Sequence, residues 1–168
     1  MQLLVIRHAI AEDIEAFAKT GLPDTERPLT KHGVKVMTRV ANGLRREVKS
    51  IDVLAASPLV RAAHTAAIVS KAYDGIYVET VPALAQRVPD KVARWLRTQR
   101  DAGVVAVVGH APYLDILVTW LTTGLASPRV EIDKGGACLL DIERTPGARS
   151  ATLRWALTPE ILEKLSRK

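Results

Sequence analysis

The sequence predicts an α/β domain built on a mixed, mostly parallel central sheet, and three observations carry that expectation. Short apolar runs of strand length alternate with segments whose apolar residues recur at helical spacing. One run, VVAVVG from Val104 to Gly109, is apolar without interruption and reads as a buried strand. The last two strand-like runs follow each other directly, which reads as a hairpin and gives the sheet an antiparallel edge. A chain of 168 residues has the usual size of one domain, so a single domain over 1–168 is expected.

The elements follow in order. Leu3 to Arg7 is the first strand, and Ile10 to Pro28, with its acids, Gly21, Pro23 and Pro28, reads as a long irregular connection of the functional or mobile kind. A helix starts at Thr30 as N-cap and carries Val34, Met37, Ala41, Leu44 and Val48 on one face, with Leu29 and Val34 placed for a hydrophobic staple. After a strand over Val53 to Ala56, Ser57 is expected to cap a second helix with Pro58 in its first position. A strand over Ile76 to Glu79 precedes a helix from Asp90, as cap, to about Thr98. The strand Val104 to Gly109 leads into a helix from Pro112 to about Thr122. Strands over Ala137 to Ile142 and Thr152 to Leu157 flank ERTPGARS as the hairpin, and Thr158 caps a last helix from Pro159 to about Ser166.

Composition narrows the function classes. Hydrophobic residues make up 48% of the chain and charged ones 25%, as in a folded globular protein. The net charge of +6 comes from scattered Lys and Arg with few aromatics, which argues against a nucleic-acid surface and fits an affinity for anions such as a phosphorylated ligand. The single cysteine, Cys138, excludes an intramolecular disulfide and a cysteine-based zinc cluster, and points to a reducing cytoplasm. Neither a signal-peptide pattern nor an apolar run of the ~18 to 20 residues needed for a membrane span is present, so no membrane association is expected.

The chemistry collects at strand ends. Arg7 and His8 close the first strand, Ser57 and Arg61 follow the second, and His110 closes VVAVVG. In open α/β sheets, ligands bind beyond the carboxyl ends of the strands, so two arginines and two histidines should converge there. Arg61, near a helix start, leans toward the helix mouth, where free N–H groups already favour an anion. Guanidinium pairs well with phosphate oxygens, and the surrounding positive charge should keep a histidine neutral and nucleophilic. There is no Gly-rich phosphate loop ending in GKS or GKT, and no histidine pair at metal-ligand spacing. His32 and His64 read as ordinary helix-surface residues, Ser57 as a cap, and Trp95 and Trp120 as core. One stereochemical difficulty stands out: neighbours in a pleated strand point to opposite faces, so Arg7 and His8 meet one ligand only if the strand tip departs from the pleat.

Three motifs in this order resemble the histidine phosphatase superfamily, the phosphoglycerate mutase-like fold. LLVIRHA resembles its RHG motif, with Ala9 in place of the glycine; ASPLVRAAHTA resembles its S-x-x-R-A-x-x-T segment; VVGHAPYL resembles the strand that delivers its second histidine. RPLTKHG, KGGACLLDI and LRWALTPEIL, with the short length, are most similar to the SixA-like branch, the phosphohistidine phosphatases. The resemblance implies a three-layer α/β/α sandwich and His8 as a nucleophile that becomes a transient phosphohistidine. It implies Arg7, Arg61 and His110 as clamps on the phosphoryl oxygens, His110 protonated beside the phosphate, and no metal or cofactor.

One departure bears on the substrate. Where many members carry a glutamate that protonates the leaving oxygen, VPALAQ places Ala83. An alkyl phosphate needs such a donor, whereas a phosphoramidate leaves well once its imidazole is protonated. The expected partner is therefore a phosphohistidine on a protein signalling domain, which a short chain with an open site can admit. Glu12, Asp13 and Asp90 are the candidate acids if a donor exists. A phosphatase for a small phosphorylated metabolite is the alternative, and a non-catalytic phosphate-binding module is the alternative of another class; a mutase fits least.

Overall fold

The computed structural model describes residues 1–143 and 145–167. Six strands form one sheet in the order β3-β2-β4-β1-β5-β6: β1 Gln2–Arg7, β2 Val53–Ala56, β3 Val78–Thr80, β4 Val104–Gly109, β5 Ala137–Ile142 and β6 Ala151–Leu157. β1, β2, β3 and β4 are mutually parallel where they pair, while β5 runs antiparallel to β1 and β6 antiparallel to β5. The expected strands are all present, the third beginning at Val78 rather than Ile76.

The apolar runs are uninterrupted because both faces of the sheet are covered. Leu4, Ile6, Leu54, Ala56, Ala106 and Val108 pack on α2 (Lys31–Glu47), α3 (Val60–Ala72) and α6 (Pro159–Leu165). The alternate residues Leu3, Val5, Ala55, Val105 and Val107 pack on α4 (Pro89–Leu96) and α5 (Tyr113–Thr123). Helices thus flank the sheet on both sides, giving the expected three layers. Cys138 is buried in the second of these cores, where burial pushes its thiol up to about 12 and leaves it unreactive. The Trp95 and Trp120 rings also pack against that core.

Several helix boundaries differ from the expectation, each for a local reason. Thr30 does cap α2, accepting from Gly33 N at 2.8 Å, but Val34 is exposed. The buried face runs through Gly33, Met37, Val40, Ala41 and Leu44, which turns Val34 off it and removes the staple. Ser57 does not cap α3; the helix starts at Val60 after Leu59, and the Ser57 hydroxyl is engaged with His110 instead. Asp90 is not the cap of α4 either. Val88 precedes the helix, Pro89 takes its first position, and the Asp90 carboxylate turns to Arg94 at 2.6 Å. Thr158 holds the position before α6 without a capping bond from its hydroxyl.

The long connection has structure of its own: a five-residue helix α1 (Ile14–Ala18) and a 3₁₀ turn (Asp24–Glu26). A second 3₁₀ turn, Pro82–Ala85, contains Ala83. No helix among the described residues is long and apolar enough to cross a membrane. The edge strand β6 carries a register irregularity opposite Leu139 and Leu140, and an Arg154–Asp141 ion pair of 3.1 Å, both of which discourage pairing with another sheet.

Candidate active site

Because β1, β2 and β4 are parallel neighbours, their carboxyl ends open at one edge and bring together His8, Ser57 and His110. The two imidazole rings lie with centroids 5.1 Å apart, tilted by 55°. The first turn of α3 adds Arg61, buried at 8% exposure.

The hydrogen-bond ladder is irregular at the strand tip, beside Arg7 and His8. Gly135, with φ of +80°, offers its single N–H to the carbonyls of both Arg7 and His8 at 3.2 Å, and Arg7 N donates to Gly136 O at 3.1 Å. Only glycine takes that left-handed φ without strain, so the Gly135–Gly136 pair shapes the tip. Ala9 keeps a negative φ; the positive-φ residues other than glycine, among those described, are Asp74 and Arg149. Alanine in place of the RHG glycine therefore brings no backbone strain here. Its N–H donates to Thr65 Oγ1 at 3.0 Å, and Thr65 in turn donates to Arg61 O at 2.8 Å. One hydroxyl thus ties the chain after His8 to the helix that carries Arg61.

Each histidine has a defined hydrogen-bond setting. His8 Nδ1 lies 2.8 Å from Ala9 O, a pure acceptor, so the ring proton sits on Nδ1 and the lone pair on Nε2. His110 Nε2 lies 2.8 Å from Ser57 Oγ, which also accepts from Leu59 N at 3.3 Å. The pairing that uses each group once sends the serine proton to Nε2 and leaves the His110 proton on Nδ1. Burial lowers His8 to about 4 and His110 to about 3, helped by Arg61 and Arg27 against both rings, Arg7 against His8, and His8 against His110. Both rings are neutral near pH 7.

Among the described residues, three buried donor atoms have no partner: Arg7 Nε, Arg61 Nε and His110 Nδ1. Leaving a buried donor unpaired costs about 1–3 kcal/mol, and a ligand rich in acceptors can satisfy such donors. A tetrahedral oxyanion is such a ligand.

The expected acids divide. Asp13 caps α1 by accepting from Ala16 N at 2.9 Å, Asp90 pairs with Arg94 and Arg97, and the exposed Glu12 contributes its backbone carbonyl to Arg27 at 2.7 Å. Ala83 packs partly buried against the core that Leu84 shares with β4. His32 and His64 are exposed.

Residues that the sequence reading did not single out complete the site. Asp24 pairs with Arg61 Nη1 at 3.2 Å and with Arg27 Nε at 2.7 Å, and its carboxyl is held below the usual range first by Arg27. Arg27, buried at 8% exposure, pins the loop by reaching Glu12 O and Asp24 together. Asp115 on α5 accepts from Ile132 N at 3.1 Å, and Ile132 O accepts from Arg7 Nη1 at 2.7 Å, so a buried carboxylate orders the strip that holds Arg7. Their only signals in the sequence were an acid three residues before a base in DTERPLT and one acid in an apolar helix.

Residues 3–86 match the model of the histidine phosphatase superfamily (branch 1). The chain belongs to the histidine phosphatase superfamily. It is 30% identical, over 81% of its length and 82% of the relative's, to an uncharacterized protein of Picosynechococcus sp. (strain ATCC 27264 / PCC 7002 / PR-6). It is 25% identical, over 95% of its length and 94% of the relative's, to the phosphohistidine phosphatase SixA of Escherichia coli (strain K12). Its fold matches that of the protein histidine phosphatase SixA complexed with tungstate, with a TM-score of 0.82, 23% identity, and coverage of 96% of this chain and 99% of that one. This histidine phosphatase thus stands with the SixA-like branch, and its sheet is the phosphoglycerate mutase-like one.

Proposed function

We propose that the chain, as a single domain over 1–168, is a phosphohistidine phosphatase that works through a covalent phosphohistidine on His8. The observation that carries the reading is the trio of unpaired buried donors, Arg7 Nε, Arg61 Nε and His110 Nδ1, on side chains whose charge or ring neighbours a neutral His8 imidazole with a free Nε2 lone pair. In the first step, Nε2 forms a bond to phosphorus as the bond to the leaving nitrogen breaks, its electron pair going to that nitrogen. The three donors take up charge on the equatorial oxygens, which is most of what phosphoryl transfer asks of a protein. In the second step, water adds to phosphorus, the P–Nε2 bond breaks, inorganic phosphate departs and a proton passes to solvent. His110 acts as a neutral donor in the free protein and takes a proton once the phosphate dianion sits beside it.

Ala83, in place of a carboxylic donor, supports a P–N substrate, because an imidazole leaves as a neutral group when its second nitrogen is protonated. The likeness to the phosphohistidine phosphatase SixA supports the same substrate class, a phosphohistidine; we further propose its place on a protein domain and a cytoplasmic signalling role. The test is a panel comparing a phosphohistidine peptide, p-nitrophenyl phosphate and sugar phosphates, with His8→Ala as control. The phosphohistidine peptide should be preferred, and His8→Ala should lose about 10³-fold or more. Preference for sugar phosphates would establish a small-metabolite phosphatase instead, and phosphate binding without turnover would establish a binding module.

A further inference from the structure

Asp24 is the one carboxylate, among the described residues, that pairs with Arg61. Its side chain is 54% exposed while the two guanidinium groups it touches are about 10% exposed, so it stands at the rim with its inner oxygens on buried cations. The contact uses Arg61 Nη1, at 3.0 Å to the Asp24 carbonyl and 3.2 Å to its carboxylate, and leaves Arg61 Nε unpaired. A phosphoryl group on the Nε edge and the Asp24 carboxylate on Nη1 would therefore share one guanidinium as neighbours. Two anions on one cation repel, unless the group between them is itself an N–H donor or a cation. The loop also keeps Asp24 in place independently of any ligand, through Arg27, Glu12 O and the Ala11–Leu29 bridge.

We propose that Asp24 selects the leaving group: its carboxylate accepts a hydrogen bond from the second ring N–H of a departing imidazole and disfavours phosphate esters whose leaving group carries a negative charge. This deepens the reading of a P–N substrate and rests on it for the identity of the imidazole. The chemistry balances without an added proton. The substrate imidazole, phosphorylated on one nitrogen and protonated on the other, receives the electron pair of the breaking P–N bond and leaves neutral, its N–H still on the Asp24 carboxylate. Without that carboxylate, the bound ring loses its second proton more readily and would have to leave as an anion. The charged and titratable groups that face Asp24 are Arg27 on its own loop, Arg61 on α3, and His110 at the end of β4, with His8 and Tyr113 facing Arg61 from β1 and α5.

The test is Asp24→Asn, which keeps an oxygen for Arg27, measured against leaving groups that differ in charge. The substrates are phosphoimidazole, a choline phosphate as the cationic ester and a glycerate phosphate as the anionic one. The ratio of kcat/KM for the cationic over the anionic ester should fall about tenfold in Asp24→Asn, as expected for one unit charge a few ångströms away in partly screened surroundings. The basic limb of the phosphoimidazole pH profile should move down by roughly one pH unit. Equal losses on all substrates with unmoved pH limbs would make Asp24 a structural brace and overturn the proposal. The outcomes separate the two claims: no phosphoimidazole turnover by the wild type removes the P–N reading, while the ester charge ratio still decides the role of Asp24.

Discussion

Thr65 shows how much of the site hangs on single hydroxyls bonded to the backbone behind it. It accepts from Ala9 N and donates to Arg61 O, so it fixes the backbone beside His8 against the helix that carries Arg61. Thr65→Val keeps the shape, removes both bonds and leaves a buried N–H unpaired. It should cost about 1–3 kcal/mol in urea unfolding and about tenfold in turnover or more, while Thr65→Ser restores both. Equal activity of the valine and serine variants would contradict this role. Ser57 makes the complementary point: a serine before a proline reads locally as a helix cap, yet its hydroxyl serves His110, 53 residues away in sequence. A hydrogen bond across that separation leaves no trace in local pattern.

Elements were legible where a period or an apolar run defines them. The buried strands β1, β2, β4 and β5 and the long helix α2 stand out because each buries apolar residues, and Arg7, His8, Arg61 and His110 stand out because they punctuate the elements. Asp24 and Arg27 were hidden because their segment buries almost nothing and α1, at five residues, is too short to show a helical period. What positions this loop is a close approach of backbone to helix. A Cβ on Gly33 would collide with the Ile10 carbonyl, which also accepts from Thr30 N at 3.0 Å. Gly43 admits the Leu162 carbonyl of α6 in the same way. Gly33→Ala should force the loop off α2 despite the better helix propensity of alanine. The expected result is a loss of about 1–3 kcal/mol in denaturant unfolding together with reduced turnover. A stabilised, fully active Gly33→Ala would show that the loop does not need this contact.

Across the molecule, the sheet edge concentrates polar groups that folding must bury, and the cost should appear as acid sensitivity. His8 and His110 are held at about 4 and about 3, below the ordinary 6.5, so as pH falls through 6.5 the unfolded chain takes up protons that the folded one refuses. Their contribution is intact above pH 6.5 and is lost progressively as pH drops toward 4 and 3. Between pH 6.5 and 5 the loss should be on the order of 1.5 kcal/mol for each ring. Urea unfolding at those two pH values measures it, and replacing both histidines by asparagine should flatten the dependence; an unchanged slope would mean that the rings titrate normally. The same neutrality underlies the central claim, that His8 Nε2 attacks phosphorus. Rapid quenching into alkali during turnover of a phosphohistidine peptide, followed by peptide mass spectrometry, tests it most directly. The account predicts an acid-labile phosphoryl group on His8 that forms and decays at the rate of turnover and is absent from His8→Ala. Turnover with no phosphoryl group on His8, or on another residue in its place, would contradict it.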